Sequence, residues 1–385
     1  MNILTIIFTT NHADTLGNSC RLEMIRYLTN AFDTTILTNQ PEFIKILFTT
    51  CQVFEIDAPE KSKLPLLNNI NYWKSIATKV NHISSDVVFM FDNDSPAALW
   101  IKYPVFQYVH QYGARSSHKS NWIKESIKNF IAKFNDDLKI QGLRKSSWNF
   151  VVSKPIIDIL KKRGVTNVEV IPHALELTSY QKPFLSSDHD LLKKLKENGC
   201  FLVTYTGWVT ENRGIKLMLD SINSAVKQDK KIVLVIAGAN EDFSKRIELY
   251  KSQNGLESNI VNFGVVDVSL IPGILYYSDV CLSFLDDLPA FHISPPQKVI
   301  EYFAAGKPVI CNKIEPHEWL VSHNKNGFIL NYNADEVSQA IVLLKMDKKL
   351  VRLMGDDALE TASEYDISLV YGNMVKKIRK ILGEH

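Results

Sequence analysis

The chain alternates short apolar runs with segments of helical periodicity, and this alternation limits its fold more than any other feature. In the first half the apolar runs are "ILTIIF" (3–8), "TTILT" (34–38), "QVFEI" (52–56), "DVVFMF" (86–91), "PVFQYVH" (104–110), "NFVVS" (149–153) and "VEVIP" (168–172). Between them lie helical stretches such as "NSCRLEMIRYLTN", where Leu22, Ile25 and Leu28 share one stripe. Apolar strands separated by helices are typical of parallel sheets covered by helices. The sequence therefore predicts an α/β fold.

A polar, aperiodic segment, "ELTSYQKPFLSSDHD" (176–190), interrupts the alternation and is interpreted as a linker. The pattern then restarts with "CFLVTYTG" (200–207), "KIVLVIAG" (231–238), "NIVNFG" (259–264), "DVCLSFL" (279–285) and "KPVICN" (307–312). Since 385 residues exceed what one core usually fills, we predict two domains, 1–178 and 190–365. Twelve of the 16 glycines follow residue 181. Glycine lets a strand-to-helix turn approach a phosphate, so the second domain is predicted to bind the nucleotide.

Charge and composition limit the partners of the chain. A net charge of +2 gives no overall field for nucleic acid, and no nucleic-acid partner is expected. The stretch 115–163 is different, with twelve Lys or Arg residues against four Asp or Glu residues. Two interpretations stay open: a solvated helical face, or a surface that contacts anionic lipid or an anionic substrate.

The cysteines and the apolar runs bear on location. The five cysteines are scattered and contain no CxxC pair, which favours a reducing compartment. The apolar run in "MNILTIIFTT" is too short for a signal peptide, and no stretch approaches 18 apolar residues. We therefore expect a cytoplasmic protein, with peripheral association at the inner face of a membrane left open.

The segment "YTGWVTENRGIKLMLDSI" (205–222) is the first candidate binding motif. A strand ends at Gly207, and an apolar stripe that starts at Ile215 predicts a helix, so Arg213 and Lys216 fall at a helix N-terminus. Cations there oppose the helix dipole unless an anion lies among them. The motif therefore indicates an anion site; the alternative is exposed basic residues near Glu211 and Asp220.

The segment "SPPQKVIEYFAAGKPVI" (294–310) is the second. It predicts a helix with Pro296 at its first position and Gly306 at its end. Glu301 lies opposite the apolar arc of that helix, on the side of Gln297, so packing does not explain it. A diphosphate at the helix start would bring the hydroxyls of a ribose to this carboxylate. The alternative is a surface pair between Lys298 and Glu301.

Two histidines follow predicted strands. His110 ends "PVFQYVH", at the sheet edge where open α/β sheets place ligands. His173, in "VIPHALE", is expected to face a cleft between the domains. Each is also compatible with a purely structural role. "DNDS" (92–95) is interpreted as a polar turn. The chain has no HxxxH, HExxH or GxSxG motif, and no metal or other cofactor is expected.

Together these segments resemble the retaining glycosyltransferases of the GT-B fold, most closely family four, the glycosyl transferases group 1. "SPPQKVIEYFAAGKPVI" is similar to the family signature "PNKLFEYMAAGKPVI", and "YTGWVTENRGIKLMLDSI" to its phosphate segment. The resemblance covers nearly the whole chain. It implies two Rossmann-like, doubly wound parallel-sheet domains facing across a cleft, with the final helix (366–385) packing back on the first domain.

The resemblance also implies residue roles in binding a nucleotide-diphosphate sugar. The implied catalytic residues are His110 near the transferred sugar, Arg213 at the diphosphate and Glu301 at the ribose. The implied donor-binding residues are Gly17, His173, Gly207, Lys216, Val266, Pro296, Gln297 and Lys298. Gly17 would lie in a loop over the donor phosphates, and backbone groups near Val266 would read the base.

The implied activity is metal-independent transfer of a hexosyl group, with retention, to a glycan or lipid-linked acceptor, in cell-surface polysaccharide synthesis. Three positions depart from the family pattern: Ile293 replaces a second glutamate, Trp208 replaces an arginine, and His173-Ala174 replace "NG". They leave two alternatives open. One is a catalytically silent GT-B scaffold; the other is a nucleotide-sugar epimerase.

Overall fold

The structure, a computed structural model, describes residues 3–9, 19–56, 65–110, 112 and 122–383, excluding the side chains of 19, 20, 65, 66, 93 and 122–128. Gly17 and the start of the basic stretch 115–163 lie outside the described residues. The chain divides into two compact units. The first holds the described residues up to His173 and those from Ser368 onward; the second holds Ala174–Ile367.

The first unit is built on a seven-stranded, all-parallel sheet in the order β3-β2-β1-β4-β5-β6-β7. Its strands are β1 (Ile3–Phe8), β2 (Asp33–Thr38), β3 (Gln52–Glu55), β4 (Val87–Phe91), β5 (Val105–Val109), β6 (Trp148–Val151) and β7 (Val168–Val170). Its helices are α1 (Ser19–Ala31), α2 (Pro41–Leu47), α3 (Pro65–His82), α4 (Trp122–Lys145) and α5 (Lys154–Lys162), with a 3-10 helix over Asp92–Leu99. Every strand proposed from the sequence for this half forms, within one or two residues.

The second unit has a six-stranded, all-parallel sheet in the order β10-β9-β8-β11-β12-β13. Its strands are β8 (Phe201–Thr206), β9 (Ile232–Ala237), β10 (Ile260–Asn262), β11 (Val280–Ser283), β12 (Val309–Asn312) and β13 (Gly327–Leu330). Its helices are α6 (Leu177–Gln181), α7 (Asp190–Glu197), α8 (Ile215–Gln228), α9 (Glu241–Asn254), α10 (Ile271–Tyr277), α11 (Gln297–Ala304), α12 (Glu315–Glu318), α13 (Ala334–Met346) and α14 (Lys348–Ser363). The short strand β13 was missed in the sequence.

The final helix, α15 (Ile367–Ile381), packs on the first unit. The Tyr371 ring meets that of Tyr27 at 6.0 Å between centroids, and the Arg379 guanidinium lies over Phe32. Lys377 contacts both Glu169 and the Trp148 ring. The described residues from Ser368 onward thus belong to the first unit.

Strand alternation sorts the core of the second unit onto two faces of its sheet. Val203 and Tyr205 of β8 pack with α8 and α13, whereas Leu202 packs with α10 and α11. Both faces of a parallel sheet are buried, which explains the continuous apolar runs. The strand order reverses between β8 and β11, and between β1 and β4 in the first unit, and ligands of open α/β sheets bind at such points.

The segment interpreted as a linker, 176–190, is instead part of the second unit. It forms α6 and a 3-10 turn over Ser187–His189, and His189 is fully buried. Its Nδ1 accepts the Ser186 N–H at 3.1 Å, and its Nε2 donates to the Leu270 carbonyl at 3.1 Å. Partners so far apart in the chain leave no periodic pattern in the sequence. The polar composition therefore suggested a linker where the segment is folded.

Substitution of Gly142 tests the packing that holds the turn after β4. A Cβ there would overlap the Ser95 carbonyl oxygen, so α4 approaches the 3-10 helix more closely than alanine allows. Alanine favours a helix by about 1 kcal/mol, but the overlap costs about 1–3 kcal/mol or more, so we expect Gly142→Ala to destabilise the protein. Gly372→Ala in α15, where the added Cβ meets only the Tyr27 hydroxyl at 3.2 Å, is the matched control. Urea unfolding measures both; equal stability of the two variants would contradict the close approach.

Among the described residues, no helix is long and apolar enough to span a bilayer.

Candidate functional site

The carboxyl end of β8 is an exposed backbone turn made of glycines. Gly207 has φ +101°, and its N–H donates to the Ala237 carbonyl at 2.9 Å. Gly238, at the end of β9, has φ +122°, and a Cβ there would overlap the backbone of Gly207. Only glycine suits both conditions. The two glycine turns therefore pack backbone to backbone beside the reversal of strand order, where open α/β sheets bind ligands.

Arg213 lies near this turn, at the junction between a 3-10 turn and helix α8. A 3-10 turn ends at Arg213, Gly214 follows at φ +73°, and α8 begins at Ile215. The guanidinium lies 5.7 Å from the ring centroid of Phe291 and interacts with the Tyr205 hydroxyl. Among the described residues, no carboxylate forms a salt bridge with it. Arg213 is therefore positioned by aromatic rings and keeps its charge available.

Lys298 is the second cation, and it is buried, with 9% of its surface exposed. Its Nζ lies 3.7 Å from the ring centroid of Tyr205 and next to Gly207. Burial lowers the pKa of Lys298 well below its usual value; nearby Arg213 adds to this, and Glu301 opposes it. In the part of the chain that the structure describes, no carboxylate lies within salt-bridge distance of Nζ. A buried ammonium without a counter-ion is costly, and a bound anion would remove that cost.

Tyr205 links the two cations. Its ring face carries Lys298, and its hydroxyl donates to the Trp208 carbonyl at 2.8 Å and interacts with Arg213. We call Gly207, Arg213, Lys298 and Glu301, together with Tyr205, the anion site. Tyr205 was not identified from the sequence, where it is one of several buried strand residues. Its position one residue before the end of a strand, next to a predicted phosphate turn, is the signal that could have found it.

Glu301 lies on α11, next to Lys298. The apolar arc predicted for α11 is confirmed, since all four of its residues are buried: Val299, Ile300, Phe303 and Ala304. Pro296 caps α11 instead of occupying its first position. Tyr302 is buried too, and its hydroxyl accepts the Thr206 N–H at 2.9 Å, which ties α11 to the end of β8.

The environment of Glu301 favours its neutral form. Burial raises its pKa to about 7, against the opposing effects of Lys298 and of a hydrogen bond from Gln297 Nε2 to Oε1 (3.3 Å). The alternative of a surface ion pair with Lys298 is wrong. Lys298 is buried, and no contact within salt-bridge distance joins the two described side chains.

The remaining predicted donor residues of the second unit lie around this site, except one. Gln297 and Pro296 start α11, and Val266 is half-buried after Gly264, whose carbonyl accepts the Gly238 N–H at 2.6 Å. Lys216 points away: its Nζ pairs with Asp220 at 2.6 Å, and 81% of its side chain is exposed.

A second group of polar residues lies at the carboxyl edge of the first sheet. The rings of His110 and His173 are 4.8 Å apart between centroids. Asp92 accepts the His110 backbone N–H at 2.7 Å and pairs with Arg21 at 2.9 Å. The interpretation of "DNDS" as a polar turn is wrong, because Asp92 and Asp94 are buried in the 3-10 helix after β4. The sequence signal for this position was that Asp92 directly follows an apolar strand.

Electrostatics in this group favour neutral histidines and a protonated acid. Burial lowers the pKa of His110 to about 4, with a smaller effect of Arg21, and also lowers that of His173. Burial raises the pKa of Asp94 to about 7, opposed by a hydrogen bond from Thr9 Oγ1 (2.6 Å) and by Arg21. We name Arg21, Asp92, Asp94, His110, Lys139 and His173 the N-terminal cluster. The described residues contain no group of three His, Cys, Asp or Glu side chains arranged to hold a metal ion.

Comparison with protein families identifies the unit that carries the anion site. Residues 200–347 match the family model described as "Glycosyl transferases group 1". The match spans β8 to the end of α13 and so includes every residue of the anion site. A search of curated proteins found no match.

Solved structures show the fold of the whole chain. Anabaena HepE in complex with UDP has a TM-score of 0.74 and 14% identity, covering 99% of this chain and 100% of that one. A glycosyltransferase from Rickettsia africae has a TM-score of 0.70 and 17% identity, covering 100% and 99%. A TarM variant from S. aureus, solved with fondaparinux, α-GlcNAc-glycerol and UDP, has a TM-score of 0.67 and 13% identity, covering 100% of both chains. The predicted GT-B fold is confirmed.

Proposed function

We propose that the protein transfers a hexosyl group from a nucleotide-diphosphate sugar to an acceptor hydroxyl, with retained configuration. The observation that supports this is a pair of cations, Arg213 and Lys298, beside a glycine turn. Neither cation forms a salt bridge with a carboxylate of the described residues. A diphosphate supplies the missing charge. HepE and TarM, which share the fold, were solved with UDP, and this supports the class of donor.

The donor diphosphate would lie between the Gly207 turn and the start of α11. The first N–H groups of a helix have no intrahelical partner and bind anions, so the backbone of Gln297 and Lys298 can add hydrogen bonds to those of Arg213. Cations and helix ends aimed at a leaving diphosphate stabilise the charge that develops as the glycosidic bond breaks. Because they supply positive charge themselves, we expect turnover without a divalent metal.

The nucleoside would extend from the diphosphate along α11. Glu301, roughly one turn from the helix start, can accept hydrogen bonds from both ribose hydroxyls. Backbone groups near Val266 would contact the base. His110 belongs to the first unit, and its role near the transferred sugar, like that of Gly17 and His173 toward the donor, stays a prediction. Lys216 is engaged with Asp220, so we leave it out of the proposed phosphate contacts.

We infer that the acceptor is a glycan, free or lipid-linked, used in cell-surface polysaccharide synthesis on the cytoplasmic side. Peripheral membrane contact would use the exposed face of α4 within 115–163, where Phe130 and Lys133 are exposed. Other basic residues of that stretch are engaged locally: Arg163 pairs with Asp136 and Asp137.

A silent scaffold of the same fold is the alternative that one observation favours. Ile293, at the position of the family's second glutamate, is buried and apolar. A scaffold would keep the fold and need no donor turnover. Release of hexose from a nucleotide sugar separates the two functions, because a silent protein would release none.

Nucleotide binding is the experiment that tests the proposed function. We expect one of UDP, GDP, ADP, CMP or dTDP to stabilise the protein by about 2.7 kcal/mol at roughly 100 times its Kd. Arg213→Met should abolish the shift, whereas Arg352→Met, at an exposed arginine of the same unit, should retain it. No shift with any of the nucleotides, or an unchanged shift in Arg213→Met, would contradict the proposed site. For the nucleotide that binds, NMR of the product anomer then tests retention.

A further inference from the structure

The loop between β11 and α11, residues 284–296, brings an aromatic ring to the anion site. The centroid of the Phe291 ring lies 5.7 Å from the Arg213 guanidinium. The backbone of the loop is fixed as well, since the Asp286 N–H donates to the Asn212 carbonyl at 2.9 Å. Asn212 directly precedes Arg213 in the chain. Two separate contacts therefore hold this loop against the turn that carries the cation.

The charged and imidazole side chains of this loop already have partners within the protein. Asp286 forms a hydrogen bond with the Tyr332 hydroxyl, and Asp287 Oδ1 lies 2.5 Å from His292 Nε2. Ser294 is the remaining polar side chain of the loop and is half-buried. A sugar hydroxyl that needs a carboxylate acceptor would have to displace one of these partners. The loop therefore offers few free polar groups to a sugar.

Aromatic side chains lie at the same end of the anion site. Phe291 is half-buried, and Trp208, which directly follows Gly207, is 43% exposed, so both remain accessible to a ligand. An aromatic face packs well against C–H groups, but it leaves a hydroxyl that points at it without a hydrogen-bond partner. Burying such a hydroxyl is costly, whereas burying a methyl group is favourable. The region therefore favours a ligand with an apolar substituent.

The proposed pose of the donor brings the transferred sugar to these rings. The diphosphate lies between the Gly207 turn and the start of α11, and the nucleoside extends along α11 to Glu301. The sugar is bonded to the other phosphate, so it extends away from the body of α11 toward the loop that precedes it. A charge-assisted hydrogen bond from Arg213 to that phosphate spans about 2.8 Å. The sugar bonded to the same phosphate is then within reach of the Phe291 ring.

We propose that the transferred hexose carries a methyl group, and that Phe291 packs against it and determines this preference. The methyl group is either at C6, in place of the hydroxymethyl group, or part of an N-acetyl group. Trp208 is the second aromatic contact, which gives a use to a position that departs from the family pattern. The inference rests on the proposed function, because it names the sugar that the proposed donor carries.

Binding of matched sugar nucleotides to the full chain tests this inference. For the nucleoside diphosphate that stabilises the protein, its hexose derivative is compared with the 6-deoxyhexose and the N-acetylhexosamine derivatives, in the gluco, galacto and manno series. Titration calorimetry measures each Kd. In at least one series we expect a methyl-bearing donor to bind roughly tenfold more tightly than its parent hexose derivative. The two arms separate the 6-deoxy from the N-acetyl source of the methyl group.

Phe291→Ala tests the role of the ring. The ratio of the two Kd values is measured, because a change in the diphosphate contacts of Arg213 affects both donors and cancels. We expect the ratio to fall to roughly twofold or less in Phe291→Ala and to be retained in Phe291→Tyr, which keeps the ring. Phe243→Ala is the matched control, since the Phe243 ring also carries an arginine, with Arg246 at 4.8 Å, and it should leave the ratio unchanged.

The outcomes separate this inference from the proposed function. If the nucleoside diphosphate binds but every parent hexose derivative binds as tightly as its methyl-bearing partners, the inference is wrong and the donor site remains. An unchanged ratio in a folded Phe291→Ala would also overturn it. If no nucleoside diphosphate binds to the unmodified protein, the proposed function fails, and the inference that rests on it fails as well.

Discussion

Lys298→Met is expected to weaken nucleoside-diphosphate binding strongly and, at the same time, to make the free protein more stable. The ammonium of Lys298 is buried against the Tyr205 ring and has no salt-bridge partner among the described residues. Replacing a buried, poorly compensated charge by an apolar side chain of similar length commonly gains about 1 kcal/mol or more. With ligand bound, the same charge faces a diphosphate, and its loss should cost about 2 kcal/mol or more, roughly thirtyfold in Kd.

The opposite signs of these two effects make the prediction specific. Thermal unfolding without ligand measures the first, and titration with the nucleotide that stabilises the unmodified protein measures the second. Lys313→Met, at an exposed lysine just after β12, is the control and should change neither. If Lys298→Met is destabilised and still binds nucleotide with unchanged affinity, Lys298 is a packing residue and the anion site is wrongly assigned.

The difference between Lys298 and its neighbours shows what a sequence can predict. The apolar arc of α11 follows from helical periodicity alone, and the structure buries all four of its residues. Lys298 is off that arc, so periodicity places it in solvent. It is buried because Tyr205, on β8, offers an aromatic face and Gly207 offers space. Both contacts join segments that are far apart in the chain. The spacing of apolar residues within α11 therefore cannot predict them.

The same limit explains the segments whose polar composition was misleading. "DNDS" has the composition of a surface turn, but Asp92 is buried because Arg21 neutralises it and the His110 N–H binds it. His189, in the supposed linker, is buried between a backbone N–H and a carbonyl. The strands of a parallel sheet are buried on both faces, so each is a continuous apolar run that can be recognised from its own residues. Buried polar residues depend on their partners, and those partners become known only once the sheet order is known.

The distribution of backbone freedom was easier to predict than the side-chain contacts. Glycines concentrate in the second unit, and Gly207, Gly238 and Gly264 all have positive φ at the carboxyl ends of its strands or just beyond them. Residues with side chains rarely adopt these angles, so the sequence reports them directly. The glycines thus indicated where the anion site lies, whereas Tyr205, which links its two cations, was not identified from the sequence.

Glu301→Gln is expected to stabilise the free protein near neutral pH while weakening nucleotide binding. Burial raises the pKa of Glu301 to about 7, above the ordinary value of a glutamic acid. Between these two values the folded protein holds a proton that the unfolded chain has released, so the folded state loses stability as pH rises toward 7. Glutamine keeps the shape and the uncharged state at every pH. The variant should gain on the order of 1 kcal/mol at about pH 8, since part of the carboxyl group stays in water, and nothing at about pH 4.

Nucleotide affinity should change in the opposite direction. A carboxylate that accepts two ribose hydroxyls forms charge-assisted hydrogen bonds, and their weakening should raise Kd roughly tenfold at about pH 8. Glu318→Gln, at an exposed acid of the same unit, is the control. Unfolding and nucleotide titration at both pH values test the claim. A variant with the stability gain but an unchanged Kd would remove Glu301 from the ribose site. A variant with neither change would show that the carboxyl group is solvated, and its position opposite the apolar arc would then be an ordinary exposed helical face.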